Sequence, residues 1–271
     1  MASMSDQHAR SFGAVADAYD RGRPTYPREA AAWLVGADPV TVLELGAGTG
    51  KLTEILVGLG HDVHATDPDE EMLERLRGKL PDVRTSVGTA EEIPAPDASY
   101  DVVVVAQAFH WFDHDRALPE IARVLKPGGR VAITVPRYGP ERICWALSDE
   151  YHANEGGHIR IYRRDVVRTR LASVGLTPGA SHHAHALHAP YWWLKCAVGV
   201  ERDAAVVRAY HRLLVWDLMH RPWLTRTAER ALDPLFGKSL VVYADKPAAP
   251  KQDGGSAGGG PTEWERTAAA R

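Results

Sequence analysis

The segment Tyr100–Phe109, YDVVVVAQAF, constrains this chain more than any other stretch. Four consecutive valines leave no polar face, so the segment is predicted to be a central strand covered on both sides, as in a parallel sheet. The surrounding pattern agrees. Thr41–Leu45 (TVLEL), Asp62–Asp67 (DVHATD), Val83–Gly88 (VRTSVG) and Arg130–Pro136 (RVAITVP) read as strands. Gly50–Gly60, Asp69–Leu80 and Arg116–Leu125 carry helical spacing, and Lys126–Gly129 (KPGG) is expected to close the last of them. Asp69–Leu80 has acids in its first turn, where they suit the helix dipole. Strand alternating with helix predicts an α/β fold with a doubly wound, Rossmann-like parallel sheet. Such sheets bind ligands at the carboxyl ends of their strands, near the point where strand order reverses.

On either side the pattern loosens. Residues 8–20 and 28–36 read as two helices, broken by the prolines of RGRPTYP. Residues 137–162 are less regular and hold Trp145, Tyr151, His152, His158 and Tyr162. Arg163–Leu176 reads as a helix, Ser181–Ala189 as a strand, Asp203–His220 as a helical run and Ser239–Pro247 as a last strand. The Gly/Ala/Pro-rich residues 248–271 read as a disordered tail.

With 271 residues, 45% of them hydrophobic, the chain can bury one sizeable core with embellishments. A net charge of -3 without a basic run argues against nucleic acid as a partner. Cys144 and Cys196 lie far apart and form neither a zinc spacing nor a disulfide framework. The N-terminus lacks an apolar signal core, and no run reaches the ~18 apolar residues of a membrane span. A cytoplasmic protein is expected.

The glycine-rich turn LELGAGTGKLT (Leu43–Thr53) follows the first strand. A phosphate-binding loop of the form G-x-x-x-x-G-K-[ST] would need glycine at 45 and Ser or Thr at 52, where Leu45 and Leu52 stand. The dinucleotide pattern G-x-G-x-x-G fits Gly46 and Gly48 but meets Lys51 at its third position, where close helix–strand packing wants glycine. What remains is Glu44 followed by three alternate glycines. A carboxylate there repels phosphate and suits a cationic ligand, and the glycines let backbone approach it closely. S-adenosylmethionine, with an ammonium, a sulfonium and no phosphate, meets this description. Asp67, at the end of the second strand, is placed to accept hydrogen bonds from ribose hydroxyls.

The segments FGAVADAYDRGRPTYP, VLELGAGTG, ATDPDEEML, GTAEEIPAPDASYDVVVVAQAFHWF and VLKPGGR, in this order, resemble the class I S-adenosylmethionine-dependent methyltransferases. Within them the chain is similar to the small-molecule group that includes ubiquinone/menaquinone C-methyltransferases and trans-aconitate methyltransferase. The resemblance covers residues 12 to about 135 and implies a seven-stranded sheet with its last strand antiparallel. It also implies roles. Glu44, Gly46, Ala47 and Gly48 would line the methionine and ribose, Asp67 would hold the ribose, and Pro68 and Met72 would face adenine. Ala90 and Glu91 would flank adenine, Ala106 and Gln107 would lie beneath the methionine end, and Tyr19 and Arg23 would belong to a lid. Tyr26, His110 and Trp111 would meet substrate. The implied layout is a lid over 1–37, a cofactor core over 38–136, cap segments and closing strands over 137–247, and the tail. The partner would be a small-molecule methyl acceptor with an O, N, C or S nucleophile, with a lean towards an aromatic or polyketide-like metabolite; the protein itself would be a monomer or homodimer. A nicotinamide-dependent oxidoreductase and a non-catalytic cofactor-binding protein are the alternatives.

Three stretches carry competing readings. In FHWFDHD, His110 either faces the methyl group as a general base, with a suitable ordinary pKa, or sits in a satisfied loop beside a core Trp111. In SHHAHALH, strand alternation would put His183 and His185 on one face and His182 and His188 on the other, so no metal site is expected. PYWW (Pro190–Trp193) is either an aromatic substrate wall or core packing.

Overall fold

The computed structural model describes residues 28–36, 38–153, 158–220 and 222–249. The first helix read from the sequence and almost all of the tail lie outside these residues, and so do Tyr19, Arg23 and Tyr26. In chain order the elements are α1 (Arg28–Val35), β1 (Thr41–Leu45), α2 (Lys51–Gly58), β2 (Asp62–Asp67), α3 (Glu70–Lys79), β3 (Arg84–Val87), β4 (Tyr100–Ala106), α4 (His114–Val124) and β5 (Leu125–Pro136). Then follow α5 (Tyr138–Leu147), α6 (Asp149–Ala153), α7 (Arg164–Ser173), β6 (Thr177–Ala184), α8 (His188–Val198), α9 (Ala205–His220), α10 (Trp223–Phe236) and β7 (Ser239–Asp245).

The strands form one seven-stranded sheet in the order β3-β2-β1-β4-β5-β7-β6. Strands β1 to β5 run parallel, and β7 lies antiparallel between β5 and β6. The valines of β4 show why the sheet is covered on both faces. Val103 and Val105 join the core under α4 and α7, while Val102 and Val104 join the core under α1 and α2. Alternate side chains point to opposite faces, so a strand between two helical layers needs apolar residues at every position.

Local chemistry sets the ends. Asp69 lies outside α3 and caps it, accepting hydrogen bonds from the backbone N–H groups of Glu71 and Met72. Asp113 caps α4 in the same way through Asp115 N–H, which starts that helix earlier than its apolar pattern suggests. KPGG does not separate helix from strand. β5 begins at Leu125, paired with Tyr100, and Gly128 N–H and Lys246 N–H bond to Lys246 O and Gly129 O.

The second half departs further. Residues 137–162, read as irregular, contain α5 and α6. Pro140 sits in the first turn of α5, where its missing N–H has no helical partner to lose. The strand read over 181–189 is displaced: β6 spans Thr177–Ala184, His185 turns away with φ 67°, and His188 opens α8. The alternation expected for the four histidines therefore ends at Ala184. PYWW lies within α8, where Trp192 and Trp193 pack beside buried Cys144, Tyr151 and Cys196. Among the described residues no helix is long and apolar enough to cross a membrane.

Candidate functional site

The sheet order reverses between β1 and β4, and the carboxyl ends of β1, β2, β4 and β5 meet there. The glycine loop after β1 is seated by its backbone. Gly46 N–H and Ala47 N–H both donate to Thr66 O, at 2.9 and 3.0 Å. Gly46 has φ +70°, and a Cβ added to it would lie 2.5 Å from the Ala108 Cβ, so this glycine lets the loop close against the turn after β4. Gly48 has φ +56°, and a Cβ there would meet nothing within 4 Å among the described residues. Gly48 thus has an open face, while Gly46 and the α2 cap Gly50 serve packing.

Two acids stand behind this loop. Asp67 accepts from Gly48 N–H at 2.8 Å and from Asp69 N–H at 3.0 Å. Burial pushes its pKa up to about 6, against the pull of those two hydrogen bonds. Glu44, 2% exposed, accepts from Thr53 Oγ1 at 2.7 Å. Burial pushes Glu44 up to about 8, the Thr53 bond opposing and the Asp67 charge adding. Two buried acids behind one loop, each made reluctant to ionise, are matched by a ligand that brings positive charge. A phosphate would add to the repulsion. The residues present therefore fit S-adenosylmethionine: acceptor groups for its ammonium and hydroxyls, and open backbone at Gly48.

The other expected residues take varied places. Pro68 is half-buried after Asp67, and Met72 is buried on α3. Ala90 is buried in the core, and the Glu91 carboxylate braces the start of α4 by accepting from Asp113 N–H at 2.7 Å. Ala106 ends β4. Gln107 follows with φ 58°, its backbone N–H donating to Thr134 O and its Nε2 to Thr134 Oγ1 and Ser239 Oγ. His110 is only 3% exposed. Its carbonyl accepts from Arg160, and its ring lies edge-on to His158 with centroids 5.4 Å apart. Trp111 is half-buried against the core.

A polar cluster on the same edge was not found by sequence reasoning. Glu141 of α5, fully buried, contacts Lys238, the Tyr151 hydroxyl and His158 Nδ1, the last at 3.1 Å. Burial opposes its charge, but the His158 bond and the Lys238 ammonium outweigh that and hold the carboxyl at about 2. Glu141 and Lys238 are 97 residues apart, so no local pattern could join them. Ser239, next to Lys238, links Gln107 to His185, whose Nδ1 lies 3.1 Å from the Ser239 hydroxyl.

Residues 43–133 match the family model described as a methyltransferase domain. An uncharacterized methyltransferase of Mycobacterium bovis is 56% identical over 135 residues, which are 50% of this chain and 55% of that protein. A malonyl-[acyl-carrier protein] O-methyltransferase of Methylococcus capsulatus is 37% identical over 53% of this chain and 58% of its own length. The chain thus spans little more than half the length of these relatives. A phosphoethanolamine N-methyltransferase of Haemonchus contortus, solved with S-adenosyl-L-methionine, superposes with a TM-score of 0.60 at 20% identity, over 91% of this chain and 60% of that one. At that identity the likeness is one of fold.

Proposed function

We propose that this chain, whose residues 43–133 belong to the methyltransferase domain family, moves a methyl group from S-adenosylmethionine to a small-molecule acceptor. The observation that carries the reading is the pair of buried acids, Glu44 and Asp67, behind the open face of Gly48. When bound, the cofactor supplies an electrophilic methyl group on a sulfonium. Glu44, with Gly46, Ala47 and Gly48, favours the cationic methionine end. Asp67 accepts from the ribose hydroxyls with the lone pairs that its two backbone bonds leave. Pro68 and Met72 offer an apolar face to adenine, with Ala90 and Glu91 beside it. Ala106 and Gln107 form the floor under the methionine end.

The chain's main contribution to rate is positioning, because in-line displacement needs nucleophile, methyl carbon and sulfur held in one geometry. The acceptor would lie beyond Gln107, against cap segments drawn from residues 137–247, which also supply the closing helix and strands of the core. The half-buried rings of Trp145, Trp192 and Trp193 in those segments are the support for an aromatic or polyketide-like metabolite. The buried position of His110 makes it a wall of that site rather than its mouth. Titration calorimetry with S-adenosylhomocysteine, NAD and NADP tests the reading. Tight binding of the first alone is expected; binding of a nicotinamide cofactor alone would replace methyl transfer with hydride transfer.

A further inference from the structure

Two non-glycine residues on the ligand edge of the sheet sit in the left-handed backbone region, and one hydroxyl joins them. Gln107 has φ 58° and His185 has φ 67°. Gln107 Nε2 lies 3.3 Å from Ser239 Oγ, and that oxygen lies 3.1 Å from His185 Nδ1. Backbone held in this region by side chains other than glycine is disfavoured and persists only where its surroundings enforce it; such residues gather at functional sites. Here the enforcing contacts are visible. Ala186 N–H bonds to Asp233 Oδ1 at 2.9 Å, which fixes the turn that presents His185. The His185 side chain is exposed, so its ring is within reach of a ligand. Ala108, next to Gln107, abuts Gly46, so Gln107 spans from the glycine loop to Ser239 and His185.

We propose that His185 is the residue that meets the acceptor, and that Nε2 of its imidazole takes the proton of an acceptor hydroxyl, so that the methyl group goes to oxygen. The proposal rests on the methyltransferase reading above and deepens it. With Nδ1 committed to Ser239, Nε2 is the ring nitrogen left for a ligand. For Nε2 to keep its lone pair Nδ1 must carry the ring proton, so Ser239 Oγ accepts from Nδ1–H both before and after Nε2 gains a proton. In the step, the acceptor oxygen forms a bond to the methyl carbon while the carbon–sulfur bond breaks, its electron pair staying on sulfur. The hydroxyl proton moves to Nε2 and leaves later to water.

The chemistry around His185 selects the acceptor atom. Its close surroundings and the charges of His188 of α8, Lys238 ahead of β7 and Arg226 of α10 push its pKa down, although the side chain is exposed. His182 of β6 and Asp233 of α10 are further titratable neighbours. The ring is therefore neutral near pH 7, with a lone pair to offer. A methylated amine can keep its proton, up to about pH 10, so a neutral imidazole placed here serves an acceptor that must lose a proton, as a hydroxyl does. An oxygen that is gaining a methyl group becomes strongly acidic and gives its proton up readily. The aromatic lean stated above then becomes a lean to a phenolic hydroxyl.

The test uses the full chain, S-adenosylmethionine labelled with 13C in its methyl group, and a small-metabolite extract of the producing organism. The 13C shift of the transferred methyl distinguishes O-, N-, C- and S-methyl without naming the product. A new methoxy signal is expected. His185→Asn, which tolerates the left-handed backbone, should lower the transfer rate by about 10²–10⁴-fold, with S-adenosylhomocysteine affinity unchanged. His185→Gly keeps the backbone and should regain part of the rate when free imidazole is added. Label on nitrogen, carbon or sulfur, or wild-type rate in either variant, overturns the proposal. So does an absence of transferred label in a chain that binds S-adenosylhomocysteine. Failure to bind S-adenosylhomocysteine at all is a different result and removes the methyltransferase reading itself.

Discussion

Alanine at Gly46 and at Gly48 should do opposite things, although the two glycines are two residues apart in one loop. Both have positive φ, so either alanine pays for a left-handed backbone, about 1–2 kcal/mol. At Gly46 the new methyl would also lie 2.5 Å from the Ala108 Cβ. Ala108 has no flexible side chain to give way, so the loop must move away from the turn after β4, at about 1–3 kcal/mol for overpacking. Gly46→Ala should then lose roughly 2–5 kcal/mol, which for a domain of this size is a fall in Tm of roughly 5–20 °C. At Gly48 a methyl meets no atom of the described residues within 4 Å. Gly48→Ala should lose only the backbone part and melt about 2–8 °C lower. Its methyl, however, projects from the face where ligand backbone contact is proposed, so S-adenosylhomocysteine affinity should fall at least about tenfold, equivalent to about 1.4 kcal/mol. Thermal melting and titration calorimetry on both variants give the two readouts. Equal melting temperatures would refute the packing argument for Gly46. Wild-type affinity in Gly48→Ala would refute the placement of the ligand.

Asp67→Ala removes an anionic acceptor of two backbone N–H groups and of the proposed ribose bonds; S-adenosylhomocysteine should bind about 10–100-fold more weakly by calorimetry, as expected for losing hydrogen bonds to a charged group. The ligand-free protein should lose stability as pH rises. Glu44 titrates from 4.5 unfolded to about 8 folded, so its native form holds the extra proton and its contribution is full below pH 4.5 and is lost as pH rises towards 8. Asp67 adds a similar loss between its unfolded value of 3.8 and about 6. From pH 5 to 7 the fall from Glu44 alone should be on the order of 2–3 kcal/mol in urea denaturation, and Glu44→Gln should flatten the curve between pH 6 and 8. Over the same window S-adenosylhomocysteine should bind more tightly as pH rises, because its ammonium favours the ionised acids; a pH-independent affinity would contradict the role given to them. Lys238→Met should cost about 3–5 kcal/mol by leaving Glu141 buried without its ammonium partner, with only His158 and the Tyr151 hydroxyl to support its charge, and adding Glu141→Gln should recover part of it; no change in the urea midpoint of Lys238→Met would show that the pair is not held in the interior.

The part of the fold legible in the sequence is the part that local pattern governs. The valines of β4 and the glycine loop each need only neighbouring residues to be understood, and each lies where the pattern puts it, while Asp69, read as the first residue of a helix, instead caps α3. The second half defeats such reading for physical reasons. His185 continues an apparent strand in sequence, yet tertiary contacts to Ser239 and Asp233 turn it out of β6. Helix α5 hides behind Gly139 and Pro140, which look like a turn but are tolerated in a first turn. The site divides in the same way. Glu44, Gly48, Asp67 and Gln107 follow strand ends and could be placed by the alternation alone. The Glu141–Lys238 pair and the Ser239–His185 contact join segments far apart in the chain, and His110, in a loop of suitable residue types, is buried instead of accessible.

One backbone hydrogen bond has a wider consequence. Arg137 N–H donates to Lys238 O, just where the chain leaves β5 and where it returns to β7. The Arg137 side chain reinforces the junction by reaching Gly237 O across 100 residues of sequence. Everything between departs from one closed stem, which lies outside the glycine loop and both of its acids. A stem of that kind makes the intervening hundred residues, α7 and β6 among them, a natural unit of exchange: on the proposed function, swapping them among relatives, in evolution or at the bench, would change the acceptor while leaving Glu44, Gly48 and Asp67 in place.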